Sequence, residues 1–116
     1  MSSHGSRVIR GEVAEQLADA MFALSAPSRV EILGCLLDGP RAVGEITTEL
    51  AMEQSAISHQ LRVLRDHALV KAEREGKRRV YALYDGAVRD LLAAALRHVE
   101  QRRPKTRGSS AVAAGE

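Results

Sequence analysis

The chain has 116 residues, 45% of them hydrophobic and 28% charged, which suits one small globular core and leaves too little for two. Aromatic residues are only 3% (Phe22, Tyr81, Tyr84), so any core is aliphatic, and the single Cys35 excludes an internal disulfide or a zinc site made of several thiolates. The net charge of +2 hides an asymmetry: residues 1–53 carry four arginines against eight acids, and residues 54–116 carry thirteen basic residues against seven acidic ones, which points the second half toward a polyanion.

The opening MSSHGSRVIRGEV has no signal-peptide run, and nowhere do ~18 apolar residues occur in succession, so a cytoplasmic protein with no membrane partner is expected. Residues 1–9 read as a flexible tail and residues 104–116 (PKTRGSSAVAAGE) as a disordered one, leaving 10–103 as a single domain. A first helix is predicted over about 12–25, where Val13, Leu17, Met21 and Leu24 recur at helical spacing. Pro27 opens a second helix containing Val30, Ile32, Leu33, Leu36 and Leu37, and Gly39 and Pro40 end it. A short third helix covers about 43–51 with Val43, Ile46 and Leu50 on one side, and a fourth covers about 54–67. The period then becomes that of strands: LVKAERE and VYALY flank GKRR, a hairpin turning at Gly76. From about 86 to 103 it is helical again, with Val88, Leu91, Leu92, Ala95, Leu96 and Val99 on one face. The fold class expected is mainly α with a small β-hairpin, in the order α-α-α-α-β-β-α.

The fourth helix carries the chemistry. On a wheel advancing about 100° per residue, Leu61 and Leu64 fall within about 40° of Ile57, and this stripe faces a core. Ser55, Ser58, His59 and Arg62 cluster on the opposite face, with Gln54 at the N-terminal end and no acid before Asp66. Solvated helices ordinarily mix Glu and Lys in i,i+4 pairs. This face instead offers donors suited to phosphate oxygens and to the acceptor edges of purines, on a rod that fits the major groove. A short helix and the turn Ala51–Glu53 precede it, which is a helix-turn-helix arrangement. The hairpin after it bears Arg74, Lys77, Arg78 and Arg79 at its tip against one Glu75, a phosphate or minor-groove contact in the making. A plain wet helix face and a solvated charged turn are the alternative readings of these two features.

The runs SAPSRVEILGCLL, AVGEITTELAMEQSAISHQLRVLRDHALV and REGKRRVYALY resemble the winged helix-turn-helix of the ArsR/SmtB family of bacterial transcriptional regulators, over about residues 12–103. The resemblance implies a homodimer built from the first and last helices, with Leu17, Met21, Leu24, Val88, Leu92, Leu96 and Val99 at its interface. It also implies binding to double-stranded operator DNA through Gln54, Ser55, Ser58, His59 and Gln60, to which the wheel adds Arg62 and the hairpin adds Arg74, Lys77, Arg78 and Arg79. Gln60 lies only about 60° from the buried stripe. Two positions depart from the family pattern: Ala51 stands where Gly is usual, and Glu53 where a Ser or Thr cap is common. Glutamate caps poorly, although its charge suits a helix N-terminus.

Many members of that family release DNA when a metal binds. The cysteine pair expected at the third helix is absent, since the segment reads AVGEITTEL. The positions expected on the last helix hold Asp85, Ala87, His98 and Gln101, two donors of four, where zinc prefers four; Glu100 is a further acid nearby. Removal of the initiator Met would leave Ser-Ser-His, whose amine, two amide nitrogens and His4 imidazole form a square-planar set suited to Cu(II) or Ni(II); the alternative is a tail with an incidental His. No cofactor is required, and a Ni, Zn, Co or Cu effector is one reading. Cys35, among Leu33, Leu36 and Leu37, reads as a small buried hydrophobe.

An enzyme is not expected, because no Gly-rich phosphate loop, paired carboxylates or nucleophile with its base can be assembled. Ser58 and His59 are neighbours in sequence but diverge by about 100° on a helix. The expectation is a sequence-specific regulator bound as a homodimer to a palindromic operator, as repressor or activator. The alternatives are a winged-helix regulator answering a non-metal signal or a co-regulator protein, and an interaction module that does not bind DNA.

Overall fold

A computed structural model describes residues 8–103; His4 and the remainder of both expected tails lie outside the described residues. The chain forms two compact units, one ending at Asp85 and one beginning at Gly86. The first contains α1 (Gly11–Ala23), α2 (Pro27–Cys35), α3 (Val43–Leu50), α4 (Gln54–Asp66), β1 (Val70–Glu75) and β2 (Arg78–Leu83), and the second contains α5 (Gly86–Arg102). The order is the expected one, and the helix-turn-helix is α3 and α4 with β1 and β2 as its wing.

One aliphatic core holds the first unit. Ile32 and Leu33 of α2, Leu36 just after it, Ile46 of α3, Ile57, Leu61 and Leu64 of α4 and Val70 and Val80 of the wing are all at most 1% exposed. The core contains no aromatic ring, and fully burying each Leu or Ile contributes about 1.5–3 kcal/mol. α1 stands apart: it buries only Ala23, and its Leu17 and Met21 are exposed. α5 buries no residue at all, and leaves Leu96 48% and Val99 56% exposed.

The junctions around α4 are set by backbone chemistry. α3 begins where the Glu45 carboxylate accepts a hydrogen bond from the Ala42 N–H at 2.8 Å, and it ends on Ala51, whose N–H reaches the Thr47 carbonyl at 2.8 Å. Ala51 is left-handed (φ 55, ψ 40), which costs a residue bearing a Cβ ~1–2 kcal/mol and explains why glycine is the usual occupant. Glu53 makes no side-chain cap on α4, as its chemistry predicts. At the other end Ala68 is again left-handed (φ 57). Its N–H bonds to the Arg65 carbonyl at 3.0 Å and that of Leu69 to the Leu64 carbonyl at 2.9 Å. That pair is a Schellman motif, with buried Leu64 and Leu69 supplying its apolar contact. It turns the chain from α4 into the wing.

The wing is an antiparallel pair in register Val70↔Leu83 through Glu75↔Arg78. Its two-residue loop, Gly76-Lys77, has Gly76 at φ 66 and no positive φ at Lys77, the pattern of a type II′ turn. The far edge of β2 is partly covered: Arg41 exchanges two backbone bonds with Tyr81, at 2.9 and 2.8 Å. The loop before α3 is thereby tied to the wing. No helix among the described residues is long and apolar enough to cross a membrane.

Candidate nucleic-acid interface

Burial of Ile57, Leu61 and Leu64 dictates what α4 shows to solvent. Gln54, Ser55, Ser58, His59 and Arg62 are all exposed, and no carboxylate lies among them. Gln60 differs. It is only half-exposed, and its Oε1 accepts a hydrogen bond from Arg29 Nη1 at 3.1 Å, so its carbonyl end is already committed within the chain.

Between α4 and the wing runs a groove of about 590 Å³ lined by Ser58, Leu61, Arg62, Arg65, Asp66, Arg79 and Tyr81. Three guanidinium groups against one carboxylate make it cationic. The Arg79 guanidinium carbon lies 5.5 Å from the centre of the Tyr81 ring, a cation–π contact that helps hold it on this side of β2. Arg65 escaped the sequence reading because it follows the polar cluster by one turn; its wheel position, about 80° from Ile57, was the available signal.

The wing tip is less uniformly available than its composition implies. Arg78 donates to Glu75 Oε1 at 2.9 Å and lies 3.4 Å from Glu45 Oε2 on α3, so two carboxylates already answer its charge. Both hold its guanidinium further above its ordinary pKa, Glu75 foremost. Glu45 in turn sits below the usual carboxylate range, first because of the Ala42 N–H and then because of Arg78. Arg74 reaches the Lys77 carbonyl at 3.4 Å, which braces the turn and leaves the rest of its fork outward. Arg74, Lys77 and Arg79 make no ion pair among the described residues, so they are the cations open to a polyanion.

His67 Nδ1 lies 2.9 Å from the Val63 carbonyl at the end of its own helix. Asp85 immediately precedes α5, and His98 lies on α5. Among the described residues no group of three or more His, Cys, Asp or Glu could hold a metal ion. Cys35 is buried, and burial, followed by Glu49, pushes its thiol up against a smaller opposing pull from Arg41.

The model of the bacterial regulatory protein arsR family matches residues 26–72, the stretch from α2 into β1. The chain is 45% identical over 95 residues to the HTH-type transcriptional regulator NmtR of Mycobacterium tuberculosis, spanning 82% of this chain and 79% of that protein. The chain belongs to the ArsR family. The transcriptional repressor SmtB homolog of Synechocystis is 34% identical over 88 residues, covering 76% of this chain and 67% of that protein. The solution structure of apo-NmtR superposes with a TM-score of 0.69 at 41% identity, covering 86% of this chain and 90% of that one. The homodimeric winged helix-turn-helix DNA-binding domain from Mycobacterium bovis gives 0.75 at 28% identity, covering 85% and 95%. This ArsR-family protein is a DNA-binding transcriptional regulator of the ArsR/SmtB type. The resemblance read from SAISHQLRVLRDHALV is thereby borne out, and so is the winged helix-turn-helix fold.

Proposed function

We propose that this regulator acts as a homodimer which sets two copies of α4 in successive major grooves of a palindromic duplex. The observation that carries the reading is the acid-free exposed face of α4 continuing into a groove with three arginines and a cationic wing. Gln54, Ser55, Ser58 and His59 read base edges. Arg62, Arg65, Arg74, Lys77 and Arg79 hold phosphates, whereas Arg78, paired with Glu45 and Glu75, chiefly holds the wing to α3. The protein works by occupying DNA and not by catalysis.

Dimerisation is supported by apolar side chains that no described neighbour buries: Leu17 and Met21 on α1, and Leu96 and Val99 on α5. Leu24, Val88 and Leu92 are half-buried and flank these stripes. Such faces are unusual on a monomer and suit a two-fold contact with a second copy.

One chain's described residues bring together no group of three or more His, Cys, Asp or Glu that could hold a metal effector. A Ni, Zn, Co or Cu effector would require donors from two subunits or from His4.

The test is a salt series on the full chain with a duplex selected by that chain from a random pool. Log affinity is expected to fall linearly with log salt, more steeply than about −3, as several phosphate contacts require. Binding indifferent to salt would sink the reading. Repeating the series with EDTA and with each of the four ions tests the effector.

A further inference from the structure

Arg29 is the third residue of α2, and its guanidinium is spread over two other helices. Its Nε donates to the Ala23 carbonyl, one of the acceptors that α1 leaves without an intrahelical partner, and its Nη2 lies 3.5 Å from the Phe22 carbonyl, which already accepts from the Ser25 N–H at 2.9 Å and the Ser25 hydroxyl at 2.6 Å. A cation there also complements the negative end of the α1 dipole. The third arm, Nη1, reaches Gln60 Oε1 on α4 at 3.1 Å. Arg29 therefore joins two helices from one rigid plane, the end of α1 through Nε and the recognition helix through Nη1.

The place where α4 is gripped gives that bond its meaning. Ile57, Leu61 and Leu64 seat α4 in the core through apolar contacts, which decide which face is buried but, being non-directional, set its exact rotation less sharply than a hydrogen bond does. Gln60 lies on the flank of that stripe, about 100° around from His59 and about 160° from Arg62. A hydrogen bond on the flank stops the roll that would swing Ser58, His59 and Arg62 away from a groove. A charge-assisted bond from a guanidinium whose other arms are already held is suited to this, because little further side-chain freedom is lost in making it.

We infer that Arg29 is a positioning residue for DNA recognition: it ties the C-terminal end of α1 to α4 through Gln60 and fixes the rotation of the reading face. Gln60 is thus an anchor and not a base contact. Because α1 exposes the apolar residues assigned above to the dimer contact, the same link transmits the placement of α1 to the reading face. This inference rests on the DNA-binding reading of α4, and the experiment separates the two.

The experiment uses the full chain, a duplex selected by the wild type from a random pool, and a scrambled duplex of equal length. Gln60→Leu removes the acceptor while keeping the bulk, and should lower the ratio of selected to scrambled affinity about tenfold, with the slope of log affinity on log salt unchanged. Gln60→Glu keeps the acceptor for Arg29 and should retain the ratio, even if both affinities fall together. Arg29→Leu also uncaps α1; combined with Gln60→Leu it should lower the ratio no further than Arg29→Leu does alone, since the two residues act as one unit. The inference is overturned if Gln60→Leu leaves the ratio intact, or if Gln60→Glu loses as much as Gln60→Leu, because the Gln60 amide would then be reading a base itself. A wild-type chain that binds neither duplex in a salt-dependent way would instead overturn the DNA reading, and the anchor with it.

Discussion

Helices α4 and α5 are both amphipathic, yet they end differently in a single chain. α4 buries Ile57, Leu61 and Leu64 and shows water an amide, two hydroxyls, an imidazole and two guanidinium groups, while α5 carries a comparable apolar stripe and fully buries none of it. α1 behaves like α5, with Ala23 as its one buried residue. An amphipathic pattern states that a helix has an apolar partner; it does not state that the partner belongs to the same chain. The two kinds of helix differ in kind here, one displaying polar chemistry from a finished core and the other leaving its apolar side chains open to solvent.

The sharpest way to break this contrast is to truncate each stripe. Leu61→Ala opens a cavity under α4 and should cost about 3 kcal/mol in denaturant unfolding; a loss below ~1 kcal/mol would mean that α4 is not seated as described. Val99→Glu on α5 should leave the fold of the first unit intact but raise the dimer dissociation constant by about a hundredfold or more in sedimentation equilibrium, since a charge would be buried at the contact. Unchanged self-association would remove α5 from the interface.

On the reading side, Arg79→Ala should weaken binding to every duplex about equally and make the salt slope shallower by about 1, whereas Ser58→Ala should leave the slope and change the preference among duplexes by ~1–3 kcal/mol. Arg78→Ala should change affinity less than Arg79→Ala, because its charge is already answered by Glu45 and Glu75. Equal effects of all three on selected and random DNA would abolish the division between phosphate holders and base readers. A gain is expected at the α4–wing junction: Ala68→Gly relieves a left-handed alanine and should add about 1 kcal/mol to thermal stability.

The smallest effect concerns the brace between α3 and the wing. Glu45 has a lowered pKa, from the Ala42 N–H first and Arg78 next. Its stabilisation is therefore present above the ordinary carboxylate range and is lost as pH falls through the lowered folded value. Glu45→Gln should melt below wild type at neutral pH, and the two melting curves should converge in acid. A gap independent of pH would show that the carboxylate's charge is not what holds the brace.

Most of the fold was legible in the residues because each element announces itself locally. The 3.6 period of α4, Pro27 at the first turn of α2 and Gly76 at the wing turn are all short-range signals, and each found its element. The exposed face of α4 was legible for the same reason, since what a helix shows follows from what it buries. What spacing on one helix could not show is the company that Gln60 and Arg78 keep, because partners thirty or more positions away reach them: Arg29 donates to the Gln60 carbonyl, and Glu45 shares the Arg78 charge with the neighbouring Glu75.

The sequence by itself determined the order of elements, the acid-free reading face and the basic tip, all consequences of periodicity and composition within a few turns of chain. Only the tertiary structure decided which of those polar groups remain open to solvent and which are engaged with α2, α3 or the wing itself. A hydrogen bond is made between neighbours in space, and neither its partner nor its direction is written in the spacing of one helix.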